Sequence, residues 1–363
     1  MALSTYACTI LGSAFLLFLV QPMVGKMILP RFGGEPSVLA VLMLLVGSAH
    51  TAAFVYAYLV ARLLPYRAQL ILQTALWAIP LPFLPFMSVV WMPPPETSTI
   101  FTLLALLLPT ALLPVFLFSS SAFLLQVWFT QTNSLSRNDP YFLYSFSNLG
   151  SLVSLLIYPF LIEPNLTLHE QSWCWSIGYV LVFVLLVLSG AIVWMTRAPE
   201  SELPLDRITI LCRLGWVVFS ALPVILLLGG CGYLMEEMSP TPLLWIVPLS
   251  LYLLSLVLTF MRWPVNWSNW PHRILLVSFP LALLLFGTLV FVLGIDSKWG
   301  RCGTMAGFFF VALVCHGMLA RNRPSTRYLT SFYLWIKVGE VIGGTIYSIY
   351  SLGMENLAAL LLG

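Results

Sequence analysis

The feature that most constrains this chain is the recurrence, from one end to the other, of apolar runs about 20 residues long, the length at which a helix crosses the hydrocarbon core of a bilayer. Eleven runs can be read: Thr5 to Met23, Ser37 to Leu63, Ala68 to Trp91, a longer one from near Ser98 past Pro109 and Pro114 toward Phe129, Tyr141 to Ile162, Trp173 to Trp194, Ile208 to Leu228, Thr241 to Phe260, Ile274 to Leu293, Cys302 to Ala320 and Tyr328 to Tyr350. A helix satisfies its backbone hydrogen bonds within itself, so runs of this length in lipid become helices. The expected fold is all-α, a polytopic membrane helix bundle of about 11 transmembrane helices. Composition excludes a soluble fold: 60% of the 363 residues are hydrophobic and 8% charged, with mean hydropathy +0.97, whereas a soluble domain carries about 25% charged residues. A net charge of only +3 offers no basic surface for a phosphate backbone, which excludes nucleic acid as a partner.

Alternating spans assign each loop to a side, and the basic residues sort with them. Arg62, Arg67, Arg137, Arg197, Arg207, Arg213, Arg262, Arg273, Arg321, Arg323 and Arg327 fall on one side; Lys26, Arg31, Lys298 and Arg301 fall on the other. This bias predicts a cytoplasmic amino terminus and an outside carboxyl terminus. The first span lacks a basic leader and a clear small-residue cleavage site, so a signal peptide is not expected. The polar stretch 197–207 reads as a cytoplasmic linker between a first membrane half of six spans, 1–196, and a second of five spans and a short tail, 208–363. No motif aligns the halves as repeats. The last ten residues or so are too short to cross and are expected to lie in the interface.

Ionisable groups at bilayer depth are functional candidates. Lys337 and Glu340 stand three apart in the last span, on one helical face. They read either as a buried ion pair that fixes packing, or as a site for an ion, a proton, an ionic substrate or a partner helix. His50, in the small-residue run GSAHTAA, reads as an interhelical hydrogen bond or as a proton relay or metal ligand. No His/Cys/Asp/Glu group has ligand spacing, and no two of the four histidines share a depth for haem, with His316 placed near a helix end. No metal or cofactor is therefore expected. Cys174, Cys231 and Cys302 fall on the outer side, where one disulfide is permitted, a Cys231–Cys302 pair among the options, although isolated packing cysteines are the simpler reading.

Glycines and prolines suggest where helices end or bend. The segment QPMVGKMILPRFGGEPS from Gln21 reads as a basic, tightly turned loop closing the first helix, and Gly229, Gly230, Cys231 and Gly232 as another helix terminus rather than a dinucleotide turn. Pro80, Pro82 and Pro85, and Pro242 and Pro248, mark kinked spans. Trp91, Trp173, Trp175, Trp194, Trp263, Trp267, Trp270 and Trp299 read as an interfacial aromatic belt.

Five ordered runs, QPMVGKMILPRFGG from Gln21, DPYFLYSFSNLGSL from Asp139, YPFLIEP from Tyr158, PLLWIVPLSLYLL from Pro242 and CHGMLARNRPSTRYLTSFYLW from Cys315, resemble the membrane region of bacterial fused spermidine-synthase-like proteins. The resemblance implies a major-facilitator-like membrane part, in a bacterial cytoplasmic (inner) membrane. The aminopropyltransferase-like domain that follows in that family is missing after Tyr350, so aminopropyl transfer is not expected. Lys337 and Glu340 also stand where the family carries small residues, which points to a locally adapted charged contact.

No nucleophile, base and orienting group occur at readable spacing, so an enzyme is not expected and no catalytic residues are assigned. A bundle so poor in charge reads as a non-catalytic structural or accessory subunit of a larger membrane complex, with the lipid bilayer and other membrane subunits as partners. The alternative is a transporter-like protein for a small metabolite, cationic ones included. Polyamines fit poorly, because Glu340 already has Lys337 beside it.

Overall fold

The computed structural model describes residues 2–28, 36–85, 107–196, 208–237, 246–261 and 298–362, and no strand occurs among them. Two compact units divide the chain, Met1–Leu203 and Pro204–Gly363. The expected ninth span, the linker 197–207, the loop residues 29–35, Pro242, and Trp91, Trp263, Trp267, Trp270 and His272 lie outside the described residues.

The first unit contains α1 (Ala2–Ile28), α2 (Pro36–Leu63), α3 (Tyr66–Ala78), α4 (Leu113–Phe129), α5 (Leu143–Ile157) and α6 (Leu168–Thr196). The second contains α7 (Ile210–Glu237), α8 (Ile246–Phe260), α9 (Lys298–Arg321) and α10 (Leu329–Leu362). Seven helices among the described residues are long and apolar enough to cross a membrane. Their outward faces are apolar too: α6 exposes Ile177, Leu181, Val184 and Leu188, and α7 exposes Leu211, Leu214 and Val218. Helices apolar all round belong in lipid, where such surface carries no penalty.

Several sequence expectations about helix ends are corrected. The first helix does not turn at Gln21. It continues to Ile28 with Pro22 inside it, so Lys26 rides on its last turn. Gly229, Gly230, Cys231 and Gly232 do not end a helix, because α7 runs on to Glu237. The final residues continue α10, which extends through them to Leu362. The third span does not kink through its prolines; α3 stops at Ala78, ahead of Pro80, and a 3-10 turn follows at Leu81–Phe83.

Elsewhere prolines are absorbed. Pro109 lies in a π-turn, Leu108–Leu112, that leads directly into α4, and Pro159 lies in another, Tyr158–Ile162, that continues α5 into Glu163–Asn165. Widening one turn shifts the hydrogen-bond register past the missing proline N–H, so the helix is not broken. The start of α6 is fixed by a capping box: Thr167 N–H and its hydroxyl both donate to Glu170 Oε2 at 2.8 Å, and Glu170 N–H donates back to Thr167 Oγ1 at 3.4 Å.

Each unit repeats one packing scheme. In the first, α1 packs on α4 and α5, and α2 packs on α4; in the second, α7 packs on α9 and α10, and α8 packs on α9. Glycine permits the closest of these contacts in both. A Cβ on Gly150 of α5 would collide with the backbone carbonyl of Leu11 on α1, and a Cβ on Gly343 of α10 would lie 2.6 Å from the Ala221 carbonyl oxygen on α7. Small residues at such seams let helix backbones approach where the hydrophobic effect supplies no drive.

Trp77 anchors the first unit. It stacks on Tyr179 with ring centroids 5.0 Å apart, meets Phe118 edge-on at 5.1 Å, and receives the Tyr179 hydroxyl on its carbonyl at 2.8 Å. Trp175 corrects the belt assignment. It is buried and donates to the Leu16 carbonyl at 3.0 Å, whereas Trp173, Trp194 and Trp299 are exposed.

Candidate functional site

His50 lies on α2, and its Nδ1 is 2.7 Å from Ser119 Oγ on α4. Ser119 donates its one hydroxyl proton to the Val115 carbonyl at 2.7 Å, so His50 is the donor, from a protonated Nδ1. The imidazole edge also meets the Phe54 ring at 5.1 Å.

The second unit contains the counterpart with the partners exchanged. Ser255 lies on α8 and His316 on α9, and their Oγ and Nδ1 are 2.7 Å apart. Ser255 donates to the Tyr252 carbonyl at 2.7 Å, which again makes the imidazole Nδ1 the donor. His316 lies near the end of α9, as expected, and is almost fully buried at 1% exposure, with its ring edge-on to Tyr252 at 5.0 Å. In both units, then, a histidine–serine bond ties together the same pair of helices in the packing scheme.

The second unit holds a largely buried ion pair. Lys337 Nζ donates to Glu340 Oε2 at 3.0 Å, both on α10, and the two side chains are 14% and 21% exposed. The Tyr252 hydroxyl of α8 donates to the other carboxylate oxygen, Oε1, at 3.4 Å. Tyr252 therefore links two groups: its ring covers His316 and its hydroxyl reaches Glu340. The result is a polar path across three helices, from Ser255 and His316 through Tyr252 to Glu340 and Lys337.

The first unit places its polar groups differently. Gln73 of α3 receives the Tyr56 hydroxyl at 2.9 Å and donates to Ser120 and Ser121 of α4 at 3.1 and 2.9 Å; Trp77 Nε1 also donates to Ser121 at 2.9 Å. One turn away, Gln69 accepts from Trp128 Nε1 at 3.0 Å and donates to the Leu64 carbonyl at 2.8 Å. This network is neutral and internally matched, as a buried polar cluster must be to hold helices rather than loosen them. Lys26 and Glu163 form an ion pair at the ends of α1 and the helical stretch following α5; about two fifths of each side chain is exposed. Such a pair is worth about 1 kcal/mol or less.

Of the residues singled out from sequence, Lys337 and Glu340 are brought together and His50 stands in the other unit. Cys174 and Cys302 are free thiols. No group of three or more metal-ligating side chains occurs among the described residues. Sequence reasoning passed over Tyr252 and Ser255, weighed His316 only as a haem ligand, and missed the whole Gln69–Gln73–Ser120–Ser121 network. The signal for the network was present as Gln69 and Gln73 one turn apart, and as three successive serines, Ser119 to Ser121, inside apolar runs.

No protein-family model matches the chain, and no curated protein matches it. Solved structures do. The E. coli fucose:proton symporter FucP is similar with a TM-score of 0.52 and 14% identity, over 96% of this chain and 92% of that one. The human organic anion transporter MFSD10 has a TM-score of 0.56 and 12% identity over 93% and 90%. A double-tryptophan mutant of XylE has a TM-score of 0.56 and 12% identity over 98% and 89%. The chain is a polytopic helical membrane protein with the fold of major facilitator superfamily transporters.

Proposed function

We propose that this chain is a membrane transporter of major-facilitator architecture that moves a small polar metabolite across the bilayer. The observation that carries this reading is the likeness of fold to FucP, MFSD10 and XylE across 93% to 98% of the chain. Two proteins in that set are named for transport, one of fucose with protons and one of organic anions. The repeated packing of the two units agrees with the internal repeats from which such transporters are built. Polar side chains at depth in both units, rather than uniformly apolar seams, support it as well.

This reading displaces the accessory subunit favoured by the scarcity of charge. A scaffold needs no transporter fold. Chemistry on a bound substrate is not part of the proposal. The sorting of arginines supports a cytoplasmic amino terminus, and the motif resemblance supports a bacterial inner membrane, as parts of the same reading. Purified protein in liposomes, offered labelled sugars, organic anions, amino acids and polyamines in turn, tests it. Saturable uptake of one class above empty vesicles is expected. Absence of uptake for every class, together with a constant companion chain after mild-detergent purification, would restore the accessory subunit.

A further inference from the structure

We propose that the second unit binds an anionic phospholipid where α7 begins and α9 turns into α10, with Arg213 gripping the headgroup phosphate. The site is independent of whatever solute the chain moves. Local sequence brings the charges there. Arg213 stands in the first turn of α7, Arg321 closes α9, and Arg327 lies in the 3-10 turn Thr326–Tyr328 ahead of α10. Trp216 pins the connecting loop to α7: its Nε1 donates to the Asn322 carbonyl at 3.0 Å, and its ring meets Phe332 of α10 edge-on at 5.1 Å. Arg213 is three residues before Trp216, about 4.5 Å along the helix axis, and Arg321 is next to Asn322, so packing gathers these arginines at one end of one unit. Arg321 and Arg327 are exposed there. Arg323, between them, already has an interaction of its own. No Asp or Glu occurs from Ile208 to Met235 or from Lys298 to Gly339. Among the described residues, none of Arg213, Arg321 and Arg327 has an ion-pair partner.

Arg213 is the least satisfied of the three. Its guanidinium lies 5.8 Å from the centre of the Trp335 ring on α10, and its Nε is buried without a hydrogen-bond partner. A buried donor lacking an acceptor is costly, and a guanidinium can take two oxygens of one phosphate at once. A phosphate oxygen on Nε supplies what the fold leaves out. The helix shows from which side it comes. Successive residues turn by about 100°, so Ile210, Leu214 and Val218 span an arc of about 80°, and all three are apolar and exposed. Trp216 is buried and stands about 120° from Ile210 in the other direction, with Arg213 midway, about 60° from each. Arg213 therefore lies where the hydrocarbon-facing surface of α7 gives way to its packed side, at the depth of a headgroup. A free phosphate would leave Ile210 and Leu214 uncovered, whereas a phospholipid lays its acyl chains along them while its phosphate meets Arg213. Arg321 and Arg327 add attraction for a negative headgroup. A headgroup that carries its own ammonium would bring that charge into a positive cluster, so the fit is to one without an amine, such as phosphatidylglycerol. In the first unit, by contrast, Arg62 already donates to the Tyr58 hydroxyl at 2.7 Å.

The experiment uses the full chain in detergent micelles, offered phosphatidylglycerol, phosphatidylcholine or inorganic phosphate, with bound lipid counted by native mass spectrometry. Phosphatidylglycerol is expected to bind about tenfold more tightly than phosphatidylcholine. Arg213→Gln should weaken phosphatidylglycerol by about tenfold, as for loss of one charged hydrogen bond, and Arg213→Lys should recover only part of it, because an ammonium is not a fork. Arg62→Gln should leave binding unchanged. Equal binding of the two lipids, or phosphatidylglycerol bound as tightly by Arg213→Gln as by the unaltered chain, overturns the proposal and leaves these arginines as signals of orientation only. Inorganic phosphate that displaces the lipid at equal concentration also overturns it, by showing a site for a free anion. Should Arg213→Gln fail to fold, Arg321→Gln combined with Arg327→Gln, both at exposed positions, carries the test and must lower the preference for phosphatidylglycerol by about tenfold.

Discussion

The two units solve one packing problem and fill it with different chemistry. Each lays one helix against two others, α1 on α4 and α5 and α7 on α9 and α10, lets glycine bring backbones together, and ties a further helix to that bundle through a histidine–serine bond, α2 to α4 and α8 to α9. In the first unit the remaining depth is occupied by glutamines, serines and tryptophans that satisfy one another. In the second, that depth holds an ion pair with exposure to spare. Seams set by small residues and neutral hydrogen bonds are structural and can recur. The ion pair of the second unit, Lys337–Glu340, is largely buried, whereas that of the first, Lys26–Glu163, is well exposed.

Substitutions can break that comparison. The largest effect is expected at the glycine seams, where Gly150→Leu and Gly343→Leu should each cost roughly 3 kcal/mol, the upper end for overpacking, because the obstacle is backbone rather than a movable side chain. Thermal unfolding in detergent measures this. If only one of the two destabilises, the seams are not equivalent. Next, Lys337→Leu should cost about 2 kcal/mol, less than for a fully buried pair since both side chains keep some exposure. An unchanged melting temperature would mean that water already solvates Glu340. His316→Ala should follow at about 1.5 kcal/mol and His50→Ala at about half of that, because His316 is buried and His50 only half-buried, and both lose one hydrogen bond. Equal losses would remove the difference in burial as a cause. Smallest is Lys26→Gln, below about 1 kcal/mol, since Lys26 and Glu163 are well exposed.

The bundle was legible in the sequence because apolar length alone dictates it. Helix ends were not, and the physics says why. Glycine stops a helix in water, where freed carbonyls find solvent, but in hydrocarbon an unpaired carbonyl has no partner, so α7 continues through Gly229, Gly230 and Gly232. The same logic carries α1 past Pro22 and Gly25 to Ile28. For Pro109 and Pro159, a π-turn replaces the break that proline would cause in a soluble helix. At the site, Lys337 and Glu340 could be found because their contact is local, three residues along one helix. Tyr252 and His316 could not, since they meet the site only through helix packing, and a tyrosine in an apolar run is indistinguishable from core until its hydroxyl has a partner.

The most direct test is exchange across the membrane. Liposomes carrying the full chain are loaded in turn with an unlabelled sugar, organic anion, amino acid or polyamine, the labelled solute of the same class is added outside, and its entry is timed. The account predicts entry of one class far faster than into empty vesicles. Entry of every class no faster than into empty vesicles would contradict it.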